Sequence, residues 1–351
     1  ETTKHVHRLH PYKGKFIPQL VEYFLDGHTD EFKDKVYFRP GDIVLDPFAG
    51  SGTTLVQANE MGINAIGIDI SSFNAMIDNS KLATVNLVEL QQYVDEITNK
   101  LKAFIANSKV ADFEDELLQA LNEFNNQYFP VPEYKYKVTR KEIDTKVYGE
   151  EKEKMFLPIY EKLVAKYGIQ LKQEKQETFL DQWFTQQIRN EIEFVYSLIK
   201  PVEKKELHDL LCIMLSRTMR SCRATTHSDL ATLKEAVTTT YYCSKHGKIC
   251  KPLFSIIKWW ETYSKDTILR LQEFSKLRTD TFQRCLVGDS RNIDIFREVE
   301  KIDSHFADTL REKKIKGIFS SPPYVGVIDY HEQHAYAYDL FQLSRHDDDE
   351  I

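Results

Sequence analysis

Residues 41–71 read "GDIVLDPFAGSGTTLVQANEMGINAIGIDIS", and this stretch restricts the fold more than any other in the chain. Ile43 to Leu45 form a short apolar run. Thr53 to Met61 place Leu55, Val56 and Ala58 on a helix, and Ala65 to Ile70 form a second apolar run. Strand, helix and strand in so short a span make a βαβ unit, whose strands lie parallel and are joined by a right-handed crossover. A chain built this way is committed to an α/β sheet with helices covering its faces.

The turn between the first strand and the helix, "LDPFAGSGTT", predicts a ligand. The strand ends at Asp46, and Gly50 and Gly52 let the backbone turn tightly and approach a bound molecule before the helix starts at Thr53. A dinucleotide site would want a third glycine where Leu55 stands, and the chain has no G-x-x-x-x-G-K-[ST] phosphate loop. Nineteen residues after Gly50, Asp69 closes the second strand, where a carboxylate can accept both hydroxyls of a ribose. The pattern therefore calls for a ribose-bearing ligand that is neither NAD nor ATP.

Far along the chain the α/β pattern resumes. "FQRCLVGDSRNI" predicts a strand ending at Gly288 and Asp289, and "KGIFSSPPY" one ending at Ser320 or Ser321. Two consecutive prolines cannot continue a strand, since neither has an N–H for the ladder and each fixes its own φ. Four strand ends carrying Asp46, Asp69, Asp289 and Ser321-Pro322-Pro323-Tyr324 should then meet where open α/β sheets bind their ligands. Between them the chain is charged and mainly helical. "LVELQQYVDEITNKLKAFI" and "HDLLCIMLSRTMRSC" show apolar faces at helical spacing, and "YFPVPEYKYKVTRKEIDTKVYGEEKEK" reads as a loop or small subdomain. The expected organisation is residues 1–85 as the cofactor half of the sheet domain, 86–280 as a mainly helical insert, and 281–351 as the return to the sheet.

With 351 residues, 42% of them hydrophobic, the chain can bury a large core, and it has no apolar run long enough to span a bilayer and no signal peptide at its start. A soluble cytoplasmic protein without membrane partners is expected. The net charge of −7 excludes a basic coat for nucleic acid but not a local basic cleft. Cys212, Cys222, Cys243, Cys250 and Cys285 do not make a secreted disulfide framework, which leaves reduced thiols or a metal site.

"DPFAGSGTT" and "SPPY", in that order and each at a strand end, resemble the paired motifs of the S-adenosylmethionine-dependent DNA amino-methyltransferases of restriction-modification systems, which methylate cytosine N4 or adenine N6. "HPYKGKFIPQLV" is similar to the segment that precedes the glycine motif in that family. The resemblance covers about residues 5 to 80 and 282 to 345, and implies a Rossmann-like methyltransferase sheet interrupted by the insert. It implies S-adenosylmethionine bound by Tyr12, Lys13, Asp46, Pro47, Phe48, Gly50, Ser51, Gly52, Thr53, Asp69, Ile70, Asp289 and Ser290, with His10 and Lys15 as weaker additions. Ser321, Pro322, Pro323 and Tyr324 are the implied catalytic residues. An exocyclic amine has its lone pair delocalised into the ring, so the site must hold acceptors against its hydrogens. Ser321 Oγ and the Pro322 carbonyl are assigned that task, and Tyr324 stacks on an extruded base. Serine at the first motif position favours cytosine N4 within the family, with adenine N6 as the alternative.

Target recognition falls to the insert. "SRTMRSCRATTH" sets Arg217, Arg220 and Arg223 three apart as a basic helical stripe, followed by Thr226 and His227. His331 and His334, just after the catalytic motif, are further DNA contacts. "YYCSKHGKIC" offers Cys243, His246 and Cys250 as ligands of a structural zinc, with Cys222, His227 and Cys285 as choices for the fourth. Only four strand ends are legible against the family's seven strands. A C-terminal part of the sheet is therefore expected outside this sequence or on a second subunit, and a reading as a cofactor- and DNA-binding subunit stands beside the enzymatic one. Double-stranded DNA is the expected partner, with a cognate restriction endonuclease beside it.

Overall fold

A computed structural model of the chain describes residues 4–175, 177–227, 235–322 and 332–345. They divide into two compact units: Glu1–Val94 with Val202–Arg217 and Tyr263–Ile351, and Asp95–Pro201 with Thr218–Thr262. In chain order the strands are β1 (Ile43–Asp46), β2 (Asn64–Asp69), β3 (Tyr241–Cys243), β4 (Lys248–Cys250), β5 (Gln283–Val287) and β6 (Gly317–Ile318).

In the first unit, four strands form a parallel sheet in the order β5-β2-β1-β6. Ile43 is paired with Asn64, Ala65 with Gln283, and Val44 with Gly317, which puts all four C-terminal strand ends on one side. Two backbone bonds carry the ladder past the strands: Phe319 N–H donates to the Leu45 carbonyl at 3.0 Å, and Gly288 N–H to the Asp69 carbonyl at 3.0 Å. Both sheet faces are covered, as a parallel sheet requires. Ile43, Leu45, Ile66, Ile68 and Leu286 pack with Val299, Phe306, Ala307 and Leu310 of the helices Ile295–Ile302 and Ser304–Lys313. The helices Thr53–Glu60 and Ser72–Leu82 pack on β2 and β5. This is the parallel α/β sheet expected from the sequence.

The insert is less uniform than its sequence implies. Residues 202–217 and 263–280, read as parts of it, cluster with the sheet unit. Ser216 Oγ lies 3.0 Å from His10 Nε2, and the Arg278 guanidinium donates to the carbonyls of Ala83 and Leu82, at 3.1 Å each. Such bonds join residues some two hundred positions apart and leave no local signature.

The second unit is helical around a small hairpin of antiparallel β3 and β4. Its core brings together Phe113, Leu117 and Leu121 of the helix Val110–Tyr128, Phe156 and Tyr160 of the helix Thr145–Tyr167, and Ile249 and Phe254. The stretch read as a loop or small subdomain is largely the helices Glu133–Thr139 and Thr145–Tyr167. Asp144 caps the second of these, its carboxylate accepting the N–H groups of Lys146 and Val147 at 2.9 and 3.1 Å. The apolar stripe is thin because long charged side chains fill most positions, which hid the helix. Gly149 has a packing reason: a Cβ there would lie 2.3 Å from Tyr242 Cδ1. Among the described residues no helix is long and apolar enough to cross a membrane.

Candidate cofactor and catalytic site

The four strand ends of the first unit enclose a cavity of about 350 Å³, a size ordinary for a small-molecule site. Asp46, Pro47, Phe48, Gly50 and Ser51 line it after β1, Asp69 and Ile70 at the end of β2, Gly288 to Arg291 after β5, and Ser321 and Pro322 after β6. Tyr12, Lys15 and Phe16 contribute from the N-terminal segment.

The glycine turn has the geometry its sequence demands. Gly50 and Gly52 sit at φ of 56° and 67°, in the left-handed region that side chains disfavour. A Cβ on Gly52 would also lie 2.5 Å from Asp78 Oδ1, so the turn presses directly on the helix Ser72–Leu82. From beneath, the buried Lys81 ammonium donates to the Ser51 carbonyl. Burial pushes that amine down to about 7 and pushes the Asp78 carboxyl upward.

Asp69 is the organising acid. Its Oδ2 accepts the N–H of Gly50 at 2.8 Å, and its Oδ1 accepts the N–H of Ser71 at 2.9 Å and Asn74 Nδ2 at 3.1 Å. Burial nevertheless raises this carboxyl to about 7, against the pull of the donors. Asp46 is buried and also raised by burial; Ser320 Oγ donates to its Oδ1 at 2.5 Å and Phe48 N–H at 3.2 Å. Asp289 differs: the Arg291 side chain and N–H bond to it, each at 2.9 Å, and hold its carboxyl below the ordinary range. One cavity thus offers two carboxyls raised by burial and one ionised carboxylate.

The N6/N4 methyltransferase family, described as DNA methylase, matches residues 4–78. The whole chain is 48% identical over 358 residues to the Type II methyltransferase M.MjaII of Methanocaldococcus jannaschii. By these matches the chain is similar to the N6/N4 DNA methylases. It spans 65% of the length of that relative. Shorter matches are to the Type II methyltransferase M.MvaI of Kocuria varians, 26% identical over 119 residues covering 32% of this chain and 25% of that protein, and to M.BsoBI of Geobacillus stearothermophilus, 38% identical over 94 residues covering 26% and 17%. No solved structure matches.

The structure brings most of the expected site residues into one cavity. Tyr12, Asp46, Pro47, Phe48, Gly50, Ser51, Thr53, Asp69, Ile70, Asp289, Ser290, Ser321 and Pro322 all line it. Gly52 stands just behind, at the N-cap of the helix Thr53–Glu60. Lys13 does not line the cavity: it is exposed, and Lys15 is the lysine that does, its Nζ bonded to the His7 carbonyl at 2.8 Å. His10 is buried with Ser216. Pro323, Tyr324 and His331 lie outside the described residues.

The expected DNA contacts fare differently. Arg217 is tied to Asp266 at 2.6 Å and stacked over the Tyr263 ring. Arg223 lies beyond the helix Lys205–Ser221 and is buried, its Nε donating to the Arg220 carbonyl at 2.9 Å. The expected helical stripe is therefore replaced by internal bonds at two of its three positions. His334 is buried between His10 and Phe73, ring centroids 5.0 and 5.1 Å away, so it packs the site from behind. Arg220 and Thr226 are half-buried and His227 is exposed.

Sequence reasoning missed Phe16, Thr54, Asn74, Arg291, Ser320 and Lys81. Asn74 had a signal, since it stands three residues after Ser71, which caps its helix by accepting the Asn74 N–H at 3.0 Å. Lys81 had none.

Proposed function

We propose that this chain transfers a methyl group from S-adenosylmethionine to the exocyclic N4 amine of cytosine in a specific site of double-stranded DNA. The observation that carries the reading is the lining of a single cavity by both motifs, Ser321 and Pro322 beside Gly50 and Asp69, although they are some 270 positions apart.

The cavity's donors and acceptors fit the cofactor. Asp69, already oriented by Gly50, Ser71 and Asn74, has its carboxyl at the cavity wall for ribose hydroxyls, and Asp289 is an ionised acceptor for an adenine amino group. Lys15 at the cavity wall suits a carboxylate. When bound, the cofactor supplies an electrophilic methyl on a sulfonium. Ser321 Oγ and the Pro322 carbonyl accept the hydrogens of the target amine, raising electron density on its nitrogen and fixing its approach. The methylated nitrogen, now cationic, loses its proton to water, while Ser321 Oγ and the Pro322 carbonyl only accept hydrogen bonds. Serine at the first motif position supports cytosine over adenine. Sequence recognition is assigned to the second unit, with Arg220 and Thr226 as its contacts.

The test is incubation of the purified chain with S-adenosylmethionine and duplex DNA, followed by mass spectrometry of the released nucleosides. N4-methylcytosine is expected. N6-methyladenine would reassign the base, and absence of both with cofactor and DNA still bound would make the chain a binding subunit.

A further inference from the structure

We propose that His227, Cys243, His246 and Cys250 form a closed tetrahedral site for one zinc ion in the second unit. One ligand atom from each residue lies within 4.8 Å of those of all the others. Cys243 Sγ is 3.7 Å from His227 Nδ1, and Cys250 Sγ is 3.4 Å from His246 Nδ1. A tetrahedral zinc with Zn–S near 2.3 Å and Zn–N near 2.0 Å sets sulfur and nitrogen about 3.5 Å apart. The cluster is thus pre-shaped to the dimensions of the ion.

The hairpin explains how three of the ligands converge. β3 and β4 pair Cys243 with Lys248 and Tyr241 with Cys250. In the turn, the Cys243 carbonyl accepts the N–H of His246 at 3.1 Å and of Gly247 at 2.7 Å, with Gly247 at φ 62°. That turn folds the His246 ring back over the strand end. The fourth residue arrives from a different segment. His227 stacks edge-on against His246 with ring centroids 4.4 Å apart, and Tyr241 Oη lies 2.7 Å from its Nδ1, a hydrogen bond that the ion would replace at that nitrogen. Of the sequence choices for this ligand, Cys222 is buried and outside the cluster, and Cys285 belongs to β5 of the sheet.

The chemistry selects the metal. Two thiolates and two imidazoles neutralise a divalent ion, leave no open position, and suit tetrahedral zinc above the oxygen-seeking cations. A two-stranded hairpin of three residues a side is marginal alone. An ion held by His227 and the hairpin would tie it to the segment bearing Arg220, Arg223 and Thr226. His227 is then a structural ligand, not a DNA contact, and the site stands whether or not the methyl-transfer reading holds.

The test uses the full chain purified without chelator. Metal analysis should give one zinc per chain, and exchange with cobalt(II) should give the visible bands of a tetrahedral thiolate site. Cys243→Ser and Cys250→Ser should abolish those bands, and His227→Ala should weaken cobalt binding by about a hundredfold or more. A cooperatively folding wild-type chain that carries no zinc and binds no cobalt after thiol reduction would overturn the site. So would zinc retained at full stoichiometry in Cys243→Ser/Cys250→Ser. Unchanged cobalt affinity in a folded His227→Ala would overturn the proposed tetrad. Should the cysteine variants fail to fold, chelation and cobalt titration of the wild type still decide.

Discussion

Ser320 Oγ donates to Asp46 Oδ1 at 2.5 Å, joining the residue that ends the run after β6 to the residue that ends β1. The bond links the two motifs directly, adding a side-chain tie to the backbone ladder that sets the register of β1 and β6. Asp46 is buried, and removal of a donor leaves its acceptor poorly satisfied.

Ser320→Ala should therefore cost about 1 to 3 kcal/mol of stability, read as a lower denaturant midpoint with unchanged slope. An unchanged midpoint would mean that the bond contributes nothing to the fold.

Asp69 predicts a pH dependence with opposite signs for fold and ligand. Its carboxyl is raised from 3.8 to about 7 in the folded chain. Between those values the folded state holds a proton that the unfolded state has released, so this group's contribution to stability is lost as pH rises through about 7. Ribose hydroxyls need the ionised acceptor, so cofactor affinity should rise over the same interval. Calorimetric titration with S-adenosylmethionine at several pH values checks this. Asp69→Asn should weaken binding at pH 8 by about 10- to 100-fold and flatten the profile. A pH-dependent Asp69→Asn would assign the titration to another group.

Ser321→Ala removes one of the two acceptors assigned to the target amine. Turnover should fall by on the order of a hundredfold, with cofactor binding unchanged because Ser321 is assigned to the target amine and not to the cofactor. Parallel losses of turnover and cofactor affinity would place Ser321 in the cofactor site instead.

Gly149→Ala separates helix propensity from packing. In a helix interior alanine should gain about 0.5 to 1 kcal/mol, but its Cβ would fall 2.3 Å from Tyr242 Cδ1, and such overpacking costs about 1 to 3 kcal/mol. Net destabilisation in thermal unfolding is expected. Stabilisation would show that the Tyr242 ring moves aside freely.

The sheet and the strand-end residues were legible because each rests on short-range signals. Apolar runs, glycines at fixed offsets and an acid nineteen positions later are local, and a parallel sheet places any strand-end residue on one side. That is why Asp46, Asp69, Asp289 and Ser321 could be gathered on paper and are found in one cavity. The cysteine and histidine spacing of the hairpin was equally visible.

Only tertiary structure decided the rest, since long-range contacts between distant segments carry no periodicity. Charge on Arg217 and Arg223 was readable, but its consumption by Asp266 and the Arg220 carbonyl was not. Lys81 under the glycine turn, Ser320 on Asp46 and His227 beside the hairpin owe their places to packing between distant segments. The sequence by itself determined which backbone ends meet and what chemistry they carry; folding decided which polar side chains are left facing the ligand and which are spent holding the site together.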